Sequence, residues 1–129
     1  MSGVVADTHA ILWYIFEDPR LSPTALAAMT NGEPIFVPSI SLVEIVYLIE
    51  KGRIPGEASA RLREELEDPA AALTLVPLDL AVAEAVIYVP RSAVPDLPDR
   101  LIAATALAHG RPLVSRDSQI QTTDLEVIW

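Results

Sequence analysis

Gly3-Val4-Val5-Ala6-Asp7-Thr8-His9-Ala10-Ile11-Leu12-Trp13-Tyr14-Ile15-Phe16 decides the fold. The first four residues form a short apolar run with two β-branched valines, bounded by an aspartate. That pattern reads as a strand buried on both faces. From Thr8 to Phe16 the apolar positions Ile11, Leu12, Ile15 and Phe16 follow helical spacing, and Asp18-Pro19 then breaks the helix. A buried strand leading directly into a helix is the opening of a βα unit.

The same alternation continues along the chain. Ser22 is a cap followed by Pro23 at the first helical position, which predicts a helix through Met29, ended by Asn31-Gly32. Ile35-Phe36-Val37 reads as a second strand, Ser41 to Lys51 as a helix stopped at Gly52, and Gly56 to Glu67 as a charged amphipathic helix. Leu73 to Val76 is a third strand and Leu80 to Tyr88 an alanine-rich helix. Val89 to Pro98, with Pro90, Pro95 and Pro98, reads as a loop. Asp99 to His109 is a helix ended by Gly110, Pro112 to Ser115 a fourth strand, and Glu126 to Trp129 a short fifth. Strands alternating with helices imply parallel pairing through right-handed crossovers. The expected class is α/β, three layers around one open sheet, with residues 1–129 forming one domain.

Composition bounds the function. The chain has 129 residues, is 51% hydrophobic, and carries 9 Lys+Arg against 18 Asp+Glu, a formal net charge of −9. Such an apolar chain can bury a core, and such an acidic one is not a non-specific nucleic-acid binder working through a basic surface. The absence of cysteine excludes disulfides, thiol nucleophiles and cysteine-ligated zinc. No basic residue precedes the first apolar run, and that run is far short of the roughly 20 residues of a membrane span. A soluble, cytoplasmic protein without a membrane partner is expected.

Open α/β sheets bind ligands outside the carboxyl ends of their strands. Asp7 follows the first strand, Glu44 lies in the first turn of the helix after the second, Asp99 begins the helix after the proline loop, and Asp117 lies just past the fourth strand. Each also has an ordinary structural use. Asp7 suits a helix cap, Ser41 and Glu44 match a capping box, Asp99 suits a helix's positive end, and Asp117 suits a turn. Independent capping does not explain why all four fall on one edge of the sheet. Clustered carboxylates repel unless a cation neutralises them, and an all-oxygen site suits Mg²⁺ or Mn²⁺. Such a site can activate water against a phosphodiester.

Four segments then carry a resemblance. Val4 to Trp13, Ser39-Ile40-Ser41-Leu42-Val43-Glu44-Ile45, Asp99-Arg100-Leu101-Ile102-Ala103-Ala104-Thr105-Ala106 and Pro112-Leu113-Val114-Ser115-Arg116-Asp117 resemble, in order and in register, the motifs of PIN-domain ribonucleases of the VapC toxin type. The resemblance implies a five-stranded parallel sheet flanked by helices. It also implies a metal site of Asp7, Glu44, Asp99 and Asp117, RNA hydrolysis with Mg²⁺ or Mn²⁺, a homodimer, and a cognate antitoxin protein. In this reading Asp7 and Asp99 hold the principal metal and Asp117 completes its shell. Glu44 orients or deprotonates the attacking water. Thr8, Asp96 and Ser115 are supporting residues, with Asp96 placed to share the role of Asp99. Arg100 and Arg116, together with Arg91 and Arg111, stand around the third and fourth motifs and are candidates to hold RNA. His9 is read as a helix-start or packing residue rather than a base. Trp13, Tyr14 and Phe16 are read as an apolar patch used in the core or at a dimer or antitoxin surface.

Other acidic α/β classes fit less well. A receiver domain needs an acidic pair after strand one, a phosphoacceptor aspartate after strand three and a lysine near strand five. Here Asp7 stands alone, Val76 leads into Pro77, and the one lysine is Lys51. A haloacid-dehalogenase phosphatase needs an aspartate where His9 stands. A non-cutting PIN scaffold that binds RNA or protein is the alternative that remains, although all four acids are present.

Overall fold

Backbone hydrogen bonds in the computed structural model, which describes residues 2–120 and 124–129, join five strands into one sheet. They are β1 (Val4–Ala6), β2 (Ile35–Pro38), β3 (Leu73–Val76), β4 (Leu113–Val114) and β5 (Val127–Ile128). Their order is β3-β2-β1-β4-β5, and every pairing is parallel. The register sets Val4 opposite Ile35 and Val5 opposite Leu113. The chain builds outward from β1 through β2 to β3, then crosses to the other side for β4 and β5. The reversal lies between β1 and β4, where open sheets of this kind place their ligands.

Successive strand residues point to opposite faces, so each strand feeds two cores. Val4 and Ala6 of β1, Ile35 and Val37 of β2, and Val114 of β4 join one buried cluster, with Ile11, Met29, Ile45 and Leu62 from the helices. Val5 and Leu113 join the other, with Val82, Ile102 and Ala103. The first cluster lies under α1 (Thr8–Ile15), α2 (Pro23–Met29), α3 (Ser39–Glu50) and α4 (Ala58–Glu67). The second lies under α5 (Leu80–Ala85) and α6 (Leu97–His109). The three-layer α/β expectation therefore holds. Among the described residues no helix is long and apolar enough to cross a membrane.

Helix boundaries differ from the sequence reading in informative places. α3 begins at Ser39, two residues before Ser41, because Pro38 closes β2 in an extended conformation (φ −61°, ψ 136°) and itself occupies the cap position. α6 begins at Leu97 rather than Asp99. Asp96 is its cap, and Pro98 sits in the first turn, where its missing N–H has no partner to lose. The stretch read as one helix from Leu80 to Tyr88 is α5 followed by a single 3₁₀ turn, Val86–Tyr88. The stop at Gly110 is as expected. It adopts φ 61°, ψ 38°, while its N–H donates to the Leu107 carbonyl and that of Arg111 to the Ala106 carbonyl. These two bonds form the Schellman closure that glycine favours.

Candidate active site

The carboxyl edge of the sheet opens into a cavity of about 450 Å³ lined by Asp7, Glu44, Asp96, Asp99 and Asp117. Asp7 is fixed by the sheet itself. Its N–H donates to the Val114 carbonyl of the neighbouring strand at 3.0 Å, which extends the β1–β4 pairing by one residue. Its carboxylate accepts from the Ala10 N–H at 2.8 Å, so Asp7 is also the cap of α1. The structural use foreseen for this residue is real, and it coexists with a place in the acidic cavity. Burial raises the Asp7 pKa, while hydrogen bonds from Ser115 and Ala10 oppose that rise.

Glu44 does not close a capping box. The early start of α3 moves it to the second turn, and Ser41 falls inside the helix with its hydroxyl fully buried. Glu44 instead accepts a 2.6 Å hydrogen bond from the Thr8 hydroxyl, which also lies 3.1 Å from the Ser41 hydroxyl. Thr8 thus links the start of α1 to α3 and holds the glutamate toward Asp7. Burial pushes the Glu44 pKa up, with Asp96 and Asp7 adding to the rise and Thr8 and His9 opposing it.

Asp99 shows the strongest perturbation. Its pKa is raised to about 7, first by burial and then by the charges of Asp96, Glu44, Asp117 and Asp7. Asp96 lines the same cavity, but one of its oxygens is engaged at 3.3 Å by the Asp99 N–H as the α6 cap. Asp117 sits in a turn. Its carboxylate accepts from the Gln119 N–H at 2.9 Å, and its own N–H donates to the Ser115 hydroxyl at 3.1 Å. Ser115, fully buried, therefore joins Asp117 to Asp7.

The basic residues divide. Arg116 lines the cavity; Arg100 does not. Arg100 donates from Nε to the Val89 carbonyl at 2.9 Å and from Nη2 to the Val86 carbonyl at 3.2 Å, so its guanidinium closes the 3₁₀ turn onto α6. Arg91 and Arg111 also stand outside the cavity lining, and Arg111 stacks over Phe36 with its guanidinium carbon 4.4 Å from the ring centroid. Arg20 was missed, while His9, packed on Trp13 at the start of α1, and Trp13, in the core, stand as expected and also reach the cavity. All three line the cavity. Arg20 follows Asp18-Pro19 in a turn with no motif, and only the folding of that turn against Trp13 brings it to the site. The Asp18–Arg20 pair, 2.8 Å apart, is the one signal that spacing offered.

Among the described residues, none of the five cavity carboxylates forms an ion pair with a basic side chain. Nor, among the described residues, does any group of three or more acidic, histidine or cysteine side chains stand in position to hold a metal ion together. The donors are oxygens and the cavity is open. This set fits Mg²⁺ or Mn²⁺ held by one or two carboxylates directly and by others through water, the usual manner for Mg²⁺.

A family model for the PIN domain matches residues 4–125. Ribonuclease VapC22 of Mycobacterium tuberculosis is 32% identical over 122 residues, spanning 95% of this chain and 92% of that protein. Among solved structures, VapBC2 from Rickettsia felis, bound to a DNA fragment from their promoter, superposes with a TM-score of 0.72 at 18% identity, over 97% of this chain and 96% of that one. A toxin–antitoxin complex from Klebsiella pneumoniae gives a TM-score of 0.69 at 20% identity over 98% and 96%. FitAcB from Neisseria gonorrhoeae gives 0.63 at 22% over 96% and 95%. The three structural likenesses show the fold.

Proposed function

We propose that this chain, which belongs to the PIN-domain family, is an endoribonuclease that hydrolyses RNA phosphodiester bonds with Mg²⁺ or Mn²⁺ and acts as the toxin of a toxin–antitoxin pair. The observation that carries this reading is the convergence of five carboxylates without ion-pair partners, Asp7, Glu44, Asp96, Asp99 and Asp117, on one cavity, where burial and the neighbouring acids raise Asp99 to about 7. A structural surface has no use for such unpaired repulsion, whereas a divalent cation relieves it. The 32% identity to a ribonuclease over nearly the whole chain supports the activity. The relatives solved as toxin–antitoxin complexes support an antitoxin protein as partner. A cytoplasmic homodimer completes the reading.

Asp7 and Asp99 would hold the ion, with Asp117 completing its shell directly or through water. When bound, the ion supplies positive charge to the phosphate and acidity to a coordinated water. Glu44 accepts the proton of the attacking water. Its raised pKa makes it a better base than a surface carboxylate, and the Thr8 hydrogen bond fixes its direction. Ser115 orients the Asp7 carboxylate. In-line attack leaves a 5′-phosphate, and the departing 3′ oxygen takes a proton from water.

Asp7→Asn tests this with little risk to the fold, because asparagine caps a helix as well as aspartate does. Wild-type protein is expected to cut single-stranded RNA with MnCl₂ and to stop with EDTA. The variant is expected to lose activity by at least about 10²-fold, the scale seen when one electrostatic group is removed from an active site. Undiminished cleavage by Asp7→Asn, indifferent to EDTA, would refute the mechanism.

A further inference from the structure

We propose that Arg20 and Arg116, stacked on the single indole of Trp13, grip the RNA phosphate adjacent to the one that is cut; the proposal rests on the nuclease reading above. The guanidinium carbons lie 5.1 Å and 5.0 Å from the Trp13 ring centroid. Both arginines are exposed and both line the acidic cavity. The indole is a fixed platform. It is only 6% exposed and is braced by Trp129, with ring centroids 5.8 Å apart. Stacking against it restrains two otherwise flexible side chains and leaves their N–H edges available, the arrangement in which arginine recognises phosphate.

Charge makes such a grip necessary. The chain carries a net −9, and five carboxylates line the cavity, so a polyanion is repelled except where local cations receive it. Arg20 is already aimed. Asp18 holds its Nε at 3.1 Å and its Nη2 at 2.8 Å, which leaves the remaining donors for a ligand. Arg116 has no ion-pair partner among the described residues. A second cavity of about 390 Å³ shares His9, Trp13 and Arg20 with the first and is walled by Leu12, Leu48 and Ile54. A strand held at Arg20 therefore has a path from the acids to a chamber whose apolar walls suit a base and whose rim carries Asp18 and Arg53.

Two measurements decide it. The affinity of a short mixed-sequence single-stranded RNA is read by anisotropy over a salt series, with MgCl₂, in an Asp7→Asn background. Each contact with a phosphate adds about 0.7 to the slope of log affinity against log salt on single strands. Arg20→Gln and Arg116→Gln should each lower the slope by about that amount. Arg63→Gln, on α4 and outside this cavity, should leave it unchanged. Arg20→Lys keeps the charge without the fork and should weaken binding while retaining the slope. In an otherwise wild-type protein cutting with MnCl₂, the glutamine variants should raise KM by about tenfold and spare kcat, the signature of lost uniform binding. Unchanged slopes and KM in a protein that cuts RNA would overturn the clamp. Absence of cutting by wild-type protein would overturn the nuclease reading instead, and the slopes, measured on binding alone, would still decide the clamp.

Discussion

At the scale of single residues, the site depends on side chains that do two jobs. Asp7 caps α1 and faces the acidic cavity. Asp96 caps α6 and sits beside Asp99. The sequence shows such residues only as acids in suitable places, and either use alone would account for them. Asp7, Asp99 and Asp117 were legible as acids at strand ends or in a helix's first turn, and Glu44 by an expected helix start that α3 moves, leaving it in the second turn. Arg20 was not legible, since its turn meets the cavity only when packed against Trp13, and Arg100, expected near the site, turns two of its donors to the Val89 and Val86 carbonyls and stands outside the cavity lining. Thr8 was expected as a supporting residue, but its partner, Glu44 rather than Asp7, emerges only in three dimensions. Replacing it with valine keeps its shape but removes the hydrogen bond that directs Glu44. Thr8→Val is expected to lower kcat by roughly 10–100-fold, a fraction of what general-base catalysis contributes, with KM little changed. Thr8→Ser should restore most of the loss. Steady-state kinetics on RNA with MnCl₂ checks both.

At the scale of elements, caps and prolines explain where the sequence reading slipped. Glu44 matched a capping box by spacing, yet Pro38 started α3 early and released both members of the box for the site. The proline loop reading hid the start of α6, because Pro98 looks like a breaker but is tolerated in a first turn. The cap at Asp96 can be separated from its charge. Asp96→Ala should cost about 1 kcal/mol of stability through the lost cap, while Asp96→Asn should cost little. Both remove the charge that acts most strongly on Asp99 and should lower its pKa alike. Chemical denaturation near pH 4, with a carboxyl titration followed by NMR, distinguishes the two effects. A pKa for Asp99 that did not move in either variant would show that the Asp96 charge has no part in raising it.

For the whole molecule, the continuous apolar runs of β1, β2 and β4 made the α/β class readable, since both faces of the sheet are covered. Strand order was not readable, because apolar strands of two to four residues carry no mark of their neighbours. The gathered acids also make stability depend on pH. Asp99 titrates at about 7 in the folded chain against 3.8 ordinarily, so between those values the folded state holds a proton that the unfolded state releases. Metal-free protein should therefore be most stable below about pH 4 and lose stability as pH rises through 7. Asp7 and Glu44, also raised, add to the same trend. Asp18, held down by Arg20, has its effect below that window. Thermal melts from pH 4 to 8 should show the fall, Asp99→Asn should flatten it, and added MnCl₂ should stabilise increasingly over the same range as ligands shed protons. A pH-independent melting temperature without metal would contradict the picture.

The middle position of β1 has a further bearing on durability. Asp7 hangs from the central strand, which has two strands on either side of it. Fraying begins at the rims, at β3 and β5, and must consume a whole wing before it reaches this residue. The pocket's anchor should thus outlast partial melting and vanish only when the molecule as a whole unravels.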